Sequence, residues 1–218
     1  MTETHPLRVL GLDEAGRGCV LGDLCVGAFF VPEWSTATDV ALREAGADDS
    51  KRLSKKKRDA ARSALTALGT AEVVAISPHE IDRNNLNDLE IAAISQLVRK
   101  YRPDVVLMDA LGPPRGVPKL VQRLQLEVGA VCSPAWTIEP KADHTYPMVG
   151  AASIFAKTTR DDRLATHDAA HGPLGSGYPS DPKTKAWLSA WAQSRKAWPS
   201  FVRTRWQTVQ DLGQQSLL

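Results

Sequence analysis

The stretch Leu7-Arg8-Val9-Leu10-Gly11-Leu12-Asp13-Glu14-Ala15-Gly16-Arg17-Gly18 decides the fold that we expect for this chain. Its first half is an apolar run typical of a buried strand, and the strand ends in two adjacent acids. Two carboxylates roughly 4 Å apart repel each other by up to about 4 kcal/mol at an effective dielectric constant of about 20, unless a cation or a proton intervenes. The pair therefore indicates a cation site at the end of the first strand.

The glycines that follow the acids indicate a ligand with phosphate groups. Gly16 and Gly18 lack a Cβ, so the backbone can take a positive φ and can approach a ligand closely. Arg17 lies between them and offers a planar set of donors suited to phosphate. Acids for a metal beside donors for phosphate favour phosphodiester chemistry. The alternative is a glycine-rich hairpin turn with two solvated acids, and only the rest of the chain can decide between the two.

The composition is that of a globular protein. The chain has 218 residues, of which 43% are hydrophobic and 24% are charged, as in an ordinary domain with a core of its own. The net charge is 27 − 25 = +2, which alone does not indicate a nucleic-acid partner. If metal ions neutralised four carboxylates, the rest of the chain would carry about 2 + 4 = +6, a more favourable balance against phosphate.

The cysteines and the N-terminal residues favour a cytoplasmic protein. Cys19, Cys25 and Cys132 form no C-x-x-C pair and are odd in number, so we expect no disulfide framework. The first residues lack the basic and apolar regions of a secretion signal, and no apolar run reaches about 18 residues. We therefore predict a protein that is neither exported nor membrane-spanning.

The spacing of apolar residues predicts an α/β protein. Strands are expected at 7–13, 19–31, 71–77, 104–109 and 133–139, and helices at 55–68, 88–101, 118–126, 147–164 and 182–195. Ser54 and Asn87 are the predicted N-caps of the first two helices. The segment 34–49 is expected to be a loop with a short helix.

Acids also follow a second buried strand. Asp109 ends the apolar run Val105-Val106-Leu107-Met108, which is typical of a strand covered on both faces. If this strand and the first one are parallel neighbours, Asp13 and Asp109 meet at the same sheet edge. Asp143 precedes the helix that begins at Pro147 and is a third acid that this arrangement could place there.

Several side chains have a structural and a functional interpretation. The run Lys55-Lys56-Lys57-Arg58 is either a solvated helix face or a patch that faces phosphate, and the sequence does not decide between them. The tryptophans Trp187, Trp191, Trp198 and Trp206 are expected to pack the C-terminal helices onto the core rather than to stack on bases. His167 and His171 are four residues apart but have no third nitrogen or sulfur ligand, so we expect no zinc site.

Six motifs occur in a fixed order, and together they resemble the ribonuclease HII (type 2 ribonuclease H) family, in its archaeal and eukaryotic form, over about residues 7 to 206. They are Asp13-Glu14-Ala15-Gly16-Arg17-Gly18, Asp49-Ser50-Lys51, the strand-terminal Asp109, Lys141-Ala142-Asp143 with Tyr146-Pro147, Ala151-Ala152-Ser153-Ile154-Phe155-Ala156-Lys157, and Gly175-Ser176-Gly177-Tyr178-Pro179-Ser180-Asp181. Cys19 and Asp23 stand where the family often has proline.

The resemblance implies a fold, a division of the chain and an activity. The fold is RNase H-like, a five-stranded mixed sheet flanked by helices, with the catalytic domain at 1–170 and a C-terminal helical extension at 171–218. The activity is metal-dependent cleavage of the RNA strand of RNA–DNA hybrids and incision on the 5′ side of ribonucleotides embedded in duplex DNA, leaving 3′-hydroxyl and 5′-phosphate ends. The alternatives are an RNase H-like nuclease for another nucleic-acid structure and a non-catalytic hybrid-binding protein.

The resemblance also implies a site. Asp13, Glu14, Asp109 and Asp143 would be the catalytic carboxylates that bind the metal ions. Gly16, Arg17 and Gly18 would contact the backbone around the ribonucleotide, and Tyr178 would sense the RNA–DNA junction. Lys51, Ser153 and Lys157 are further candidates for contact with substrate phosphate, although hydrogen bonding on the helix surface would equally explain Ser153 and Lys157.

The cofactors and partners follow from this chemistry. Oxygen ligands suit Mg²⁺ or Mn²⁺, and two such ions could activate water and stabilise the leaving oxygen. Along a strand Asp13 and Glu14 point to opposite faces, so we expect the turn at Ala15-Gly16 to begin early enough for both to reach the ions. The expected partners are hybrid duplexes and no membrane, and the protein is expected to be a monomer. The tail Gln215-Ser216-Leu217-Leu218 resembles the start of a sliding-clamp peptide but lacks its terminal aromatic pair.

Overall fold

The computed structural model describes residues 6–47 and 54–215. Lys51 and the rest of its motif, Asp49 and Ser50, lie outside the described residues. The strands are β1 (Leu7–Ala15), β2 (Leu24–Trp34), β3 (Thr70–Ile76), β4 (Val105–Asp109) and β5 (Ala135–Glu139). The helices are α1 (Thr36–Glu44), α2 (Lys55–Leu65), α3 (Pro78–Arg83), α4 (Leu86–Tyr101), α5 (Val117–Val128), α6 (Ala142–Thr145), α7 (Pro147–Ala165), α8 (Asp168–His171), α9 (Pro182–Gln193) and α10 (Gln207–Gln215).

The strands form one mixed sheet in the order β3-β2-β1-β4-β5, which confirms the predicted α/β fold class. β1 is parallel to β4, with Leu12 level with Met108, and β4 is parallel to β5, with Asp109 level with Glu139. The predicted parallel pairing of the first strand with the strand before Asp109 is therefore confirmed. Asp13 and Asp109 each come directly after one of the paired residues Leu12 and Met108, at the carboxyl ends of neighbouring strands.

Helix α7 lies against the sheet where two strands have glycine. A Cβ built on Gly11 of β1 would be 2.2 Å from the carbonyl oxygen of Met148, and one on Gly27 of β2 would be 2.4 Å from that of Ala152. The helix contributes its own small residues, among them Ala151 and Ala152, both fully buried. This close contact sets the depth at which the side chains of α7 reach the end of β1.

The chain divides into two units, each with its own core. Unit 1 comprises residues 1–14, 26–74 and 90–158, and unit 2 comprises residues 15–25, 75–89 and 159–218. In unit 1, residues of the sheet such as Phe29 and Val31 pack against Leu42, Leu65 and Ile154. The predicted boundary at residue 170 stays a prediction.

Tryptophans of the C-terminal region contribute to the core of unit 2. Trp187, Trp198 and Trp206 pack against a buried cluster that includes Leu188 and Phe201, which confirms the packing interpretation for these three. The rings of His167 and His171 contact Phe201, at centroid distances of 4.4 and 4.9 Å. Both histidines thus take part in ring packing. No helix in residues 6–47 or 54–215 is long and apolar enough to cross a membrane.

Two predicted boundaries are wrong. The second strand begins at Leu24 and not at residue 19, because residues before it form an irregular loop in which Leu21 makes an isolated antiparallel bridge to Val202. Asn87 is not the N-cap of α4, since Asn85 Oδ1 accepts the backbone N–H groups of Asn87 and Asp88. Ser54, by contrast, caps α2 as predicted, and α10 was not predicted at all.

Candidate active site

The four predicted carboxylates lie in unit 1, where strands β1 and β4 end and α6 begins. Asp13 and Glu14 are near the end of β1, Asp109 is the last residue of β4, and Asp143 is in α6. Asp109 Oδ1 accepts the backbone N–H groups of Ala110 at 3.1 Å and Ala142 at 3.2 Å. The second bond ties α6 to the end of β4 and so fixes the backbone immediately before Asp143.

Asp13 has an environment that disfavours its charge. Its side chain is 6% exposed, and burial raises the pKa of its carboxyl to about 6. A hydrogen bond from Ser153 and the positive charge of Lys157 lower this pKa, and the negative charge of Asp109 raises it. Asp13, Asp109, Ser153 and Lys157 therefore lie within electrostatic reach of one another, as the convergence argument requires.

Ser153 and Lys157 come from one face of α7. They are four residues apart, and Lys157 Nζ donates to Ser153 Oγ at 2.8 Å. Ser153 is fully buried, whereas Lys157 is half-buried. The contact of α7 with Gly11 and Gly27 thus brings an ammonium and a hydroxyl group to the first carboxylate.

The donor set suits a hard divalent cation, and two of its members, Asp13 and Asp109, each direct one oxygen at backbone N–H groups. Within the described ranges no three His, Cys, Asp or Glu residues are close enough together to form a ready metal site. Asp13 Oδ1 accepts the N–H of Glu14 at 2.8 Å, and Asp109 Oδ1 accepts the two N–H groups already named. Carboxylate oxygens are the ligands that Mg²⁺ and Mn²⁺ prefer. Ion binding therefore fits the residues present.

The turn after the acids begins later than the sequence argument assumed. β1 continues through Ala15, so Asp13 and Glu14 are still in extended backbone, one buried and one half-buried. Both nevertheless line one cavity of about 10 Å³, close to the volume that one water needs. Glu90 of α4 lines the same cavity and is fully buried. Sequence reasoning missed Glu90, because its spacing in α4 gives no sign that the position faces the carboxylates.

The glycine-rich loop and Tyr178 lie together in unit 2. Gly16 has φ of 88°, and a Cβ there would be 2.6 Å from the carbonyl oxygen of Asp23. A Cβ on Gly18 would be 3.8 Å from the Tyr178 ring, an ordinary contact. Burial raises the pKa of Tyr178, while a hydrogen bond with the Gly16 backbone lowers it, which places the phenol beside this loop.

Two arginines hold this loop, and sequence reasoning did not single out either. Arg203 is fully buried and donates to the carbonyl oxygens of Gly16 at 2.7 Å, Arg17 at 3.0 Å and Gly22 at 3.0 Å. Arg160 donates to Cys19 Sγ at 2.9 Å, and its guanidinium lies 5.4 Å from the centre of the Tyr178 ring. Arg160 could have been found, since it follows Lys157 by three residues on the same helix.

Comparison with known proteins places the chain in a family. The family model described as ribonuclease HII matches residues 10–209. The ribonuclease HII of Aeropyrum pernix is 38% identical, and the match covers 94% of this chain and 90% of the relative. The crystal structure of ribonuclease H2 from Pyrococcus horikoshii superposes with a TM-score of 0.85 at 31% identity, covering 97% of this chain and 99% of that one.

A second solved structure is the PCNA:RNase HII complex from Archaeoglobus fulgidus, with a TM-score of 0.81, 32% identity, and coverage of 92% of this chain and 96% of that one. The three relatives named are archaeal, in agreement with the branch that the sequence motifs indicated. The family model spans the carboxylates of unit 1 as well as the glycine-rich loop and Tyr178 of unit 2. On these matches the chain belongs to the ribonuclease HII family and is a metal-dependent endonuclease of the ribonuclease H type.

Proposed function

We propose that this endonuclease hydrolyses the RNA strand of RNA–DNA hybrids and incises duplex DNA on the 5′ side of an embedded ribonucleotide, leaving a 3′-hydroxyl and a 5′-phosphate. The observation that carries the proposal is the convergence of Asp13, Asp109, Ser153 and Lys157 where β1 and β4 end. A carboxylate pair with a buried member needs a cation, and hydrolysis of a phosphodiester needs one too.

Asp13, Glu14, Asp109 and Asp143 are the residues proposed to hold two divalent ions, Mg²⁺ or Mn²⁺. When bound, the ions would supply an activated water and would neutralise the charge on phosphate and leaving oxygen. Asp109 accepts the N–H of Ala142, which lies in the same helix as Asp143, so this bond holds the backbone segments of the two acids together. Lys157 lowers the pKa of Asp13 and so favours the charged form that binds a cation.

The recognition of the ribonucleotide is proposed to reside in Gly16, Arg17, Gly18 and Tyr178. The 2′-hydroxyl is the group that distinguishes RNA from DNA, and it both donates and accepts hydrogen bonds. Gly18 is exposed and no packing contact demands a glycine there, which supports close approach of a ligand to this backbone. Tyr178 is 38% exposed with Arg160 on its ring, so it offers a fixed aromatic surface.

The first experiment compares three labelled duplexes, with one ribonucleotide, a run of ribonucleotides, or none, in Mg²⁺, in Mn²⁺ and in chelator. We expect metal-dependent incision 5′ to the single ribonucleotide and an intact all-DNA duplex. Cleavage of the all-DNA duplex would favour the nuclease for another structure. Cleavage of the ribonucleotide run alone would contradict the incision at single ribonucleotides.

The Asp109→Asn variant tests the role of the carboxylates. Removal of one charge from the metal-binding set should lower kcat by at least about 100-fold, as expected for a group that acts on the transition state. Asp104→Asn is the matched control, since Asp104 precedes the other end of β4 and pairs with Arg8 at 3.2 Å. Metal-dependent cleavage retained by Asp109→Asn, or lost equally by both variants, would contradict the assignment.

A sliding clamp is a proposed partner. The Archaeoglobus fulgidus relative occurs in a complex with PCNA, and the residues Gln215-Ser216-Leu217-Leu218 resemble the start of a clamp-binding peptide. The last three of them lie outside the described residues. Binding of the host's clamp should weaken when Leu217 and Leu218 are both changed to alanine, as measured by titration calorimetry. Unchanged binding would exclude this tail as the contact.

A further inference from the structure

The side chain of Arg17 is bonded to an asparagine. Arg17 Nη2 donates to Asn87 Oδ1 at 2.5 Å, and both residues belong to unit 2. An arginine side chain loses rotamer entropy when it is ordered. A partner that orders it before the substrate arrives removes part of that cost from binding. Asn87 therefore has the position of a residue that prepares Arg17 for its ligand.

The chemical nature of this partner is informative. The amide oxygen of Asn87 accepts a hydrogen bond without carrying a charge, so this contact does not offset the positive charge of Arg17. A carboxylate at the same position would orient the guanidinium equally well but would neutralise it. The residue type thus separates orientation from charge, and the two effects can be tested separately.

Asn87 is itself held in place by the loop before α4. Asn85 Oδ1 accepts the N–H of Asn87 at 2.9 Å and that of Asp88 at 3.4 Å, which fixes the first turn of the helix. Asn84 bonds backward, from Nδ2 to the carbonyl oxygen of Glu80 at 2.9 Å, and caps α3. Of these three asparagines, Asn87 bonds the side chain of Arg17, whereas Asn84 bonds a backbone carbonyl oxygen.

Residues 203–205 connect to both sides of the Arg17–Asn87 pair. Arg203 holds the carbonyl oxygen of Arg17, as described above. The next residue, Thr204, donates to Asp82 Oδ2 from its backbone N–H and from Oγ1, both at 2.7 Å. Asp82 is in α3, five residues before Asn87. One short segment therefore fixes the backbone of Arg17 and, through Asp82, the loop that carries its partner.

We propose that Asn87 is a positioning residue that orients the Arg17 guanidinium for the phosphate next to the ribonucleotide, and that the Thr204–Asp82 contact maintains this orientation. The inference rests on the proposed function, because it assigns Arg17 a role in substrate recognition. Asn87 acts through Arg17 and has no role of its own in the chemistry. Its removal should therefore affect the use of substrate only when Arg17 is present.

A double-mutant cycle tests this dependence. Asn87→Ala should lower kcat/KM on a duplex with one ribonucleotide by about 5- to 10-fold, chiefly through KM, whereas the control Asn84→Ala should change it by less than about 2-fold. In the Arg17→Ala background, Asn87→Ala should cause less than about a 2-fold further change. Multiplicative effects of the two substitutions would overturn the proposal, and so would an Asn87→Ala variant with unchanged kcat/KM.

Conservative variants separate orientation from charge and from folding. Asn87→Asp should leave the midpoint of thermal unfolding unchanged and should still raise KM, because the carboxylate neutralises Arg17. Thr204→Val should raise KM in the same direction as Asn87→Ala, and Thr204→Ser, which restores the hydroxyl, should return it to the parent value. A parent-like KM for Asn87→Asp would overturn the assignment of Asn87 as a neutral partner that preserves the charge of Arg17. Failure of Thr204→Ser to rescue would overturn the role of the Thr204–Asp82 contact.

A binding measurement separates failure of this inference from failure of the proposed function. The same cycle is run on the dissociation constant of the ribonucleotide duplex, by fluorescence anisotropy with chelator present, so that no cleavage is needed. If the parent protein does not cleave, the proposed function fails, while the cycle in binding still decides on Asn87. If the cycle shows independent effects in binding, the positioning role is overturned whatever the parent cleaves.

Discussion

Burial of the Asp13 carboxyl group makes the stability of the metal-free protein depend on pH. Burial raises the pKa of this carboxyl from 3.8 to about 6, so between about pH 4 and pH 6 the folded chain holds a proton that the unfolded chain has lost. Unfolding releases this proton, and the free energy of unfolding of the metal-free protein should therefore fall as the pH rises through this range. The decrease should be about 3 kcal/mol at most.

The Asp13→Asn variant isolates this contribution. Its free energy of unfolding, measured by urea denaturation with chelator between pH 4 and pH 7, should lack the decrease. Above pH 6 the variant should be more stable than the parent, because a buried charge near Asp109 has been removed. Parallel pH dependences for the two proteins would show that Asp13 does not hold the proton.

Gly16 and Gly18, which are two residues apart, should respond differently to the same substitution. Gly16→Ala forces a side chain onto a residue with φ of 88° and brings its Cβ to 2.6 Å from the Asp23 carbonyl oxygen, so it should lower stability by about 1–3 kcal/mol. Gly18→Ala meets only the Tyr178 ring at 3.8 Å and should leave stability within about 0.5 kcal/mol of the parent.

The variant that keeps its stability, Gly18→Ala, should be the one that impairs the use of substrate. Gly18→Ala is expected to raise KM for the ribonucleotide duplex at least about 5-fold, because the methyl group occupies space that the proposed ligand approaches. Thermal unfolding and steady-state kinetics of both variants check this pair of expectations. A Gly18→Ala variant with parent-like kinetics would mean that the substrate does not approach this backbone.

At the level of elements, the close contact of α7 with the sheet determines where Ser153 and Lys157 lie in the site. Gly27→Ala would place a Cβ 2.4 Å from the Ala152 carbonyl oxygen, so the helix must move away from β2. We expect a loss of about 1–3 kcal/mol in the free energy of unfolding. Gly116→Ala is the control, since a Cβ there has no neighbour within 4 Å. Equal stability of the two variants in urea denaturation would contradict this close packing.

The elements show where sequence reasoning succeeds and why it fails elsewhere. β1, β4 and α7 were predicted because their apolar patterns are set by burial within each segment. Residues 19–23 were mistaken for the start of a strand because the conformation of this loop depends on distant groups, such as the Arg203 guanidinium that donates to the carbonyl oxygens of Gly16, Arg17 and Gly22. Asn87 was mistaken for a cap because an asparagine that bonds Arg17 has the same local sequence as one that caps a helix.

The site shows the same division between local and distant information. The acids Asp13 and Asp109 could be placed from the sequence, since each ends a strand and the parallel pairing brings the strand ends together. Glu90 and Arg203 could not, because a charged residue that becomes buried has no local signature. Glu90 and Asp13 line one cavity although more than 70 residues separate them in the chain. Arg203 and Gly16 are joined by a hydrogen bond although they are 187 residues apart.

At the level of the whole molecule, the net charge and its distribution determine how strongly the protein attracts a polyanion. The net charge of +2 is small, so attraction to nucleic acid depends on where the positive side chains lie and on neutralisation of the acids by metal. The first turn of α2 presents Lys55, Lys56 and Lys57, all exposed. Lys55 lies 3.7 Å from Asp59, an exposed pair that contributes little to stability. These lysines are either solvated or in contact with phosphate.

Salt dependence distinguishes the two interpretations of this run. Changing Lys55, Lys56 and Lys57 to glutamine alters the net charge to 2 − 3 = −1, and so does the control triple at the exposed Lys119, Lys185 and Lys196. Each phosphate contact contributes about 0.9 to the slope of log affinity against log salt concentration. If the run faces phosphate, the first triple should reduce that slope by about 2–3, whereas the control should leave it nearly unchanged and lower affinity only at low salt. Equal slopes for the two triples, measured by anisotropy on a hybrid duplex, would show that the α2 lysines form a solvated face and that net charge alone accounts for their effect.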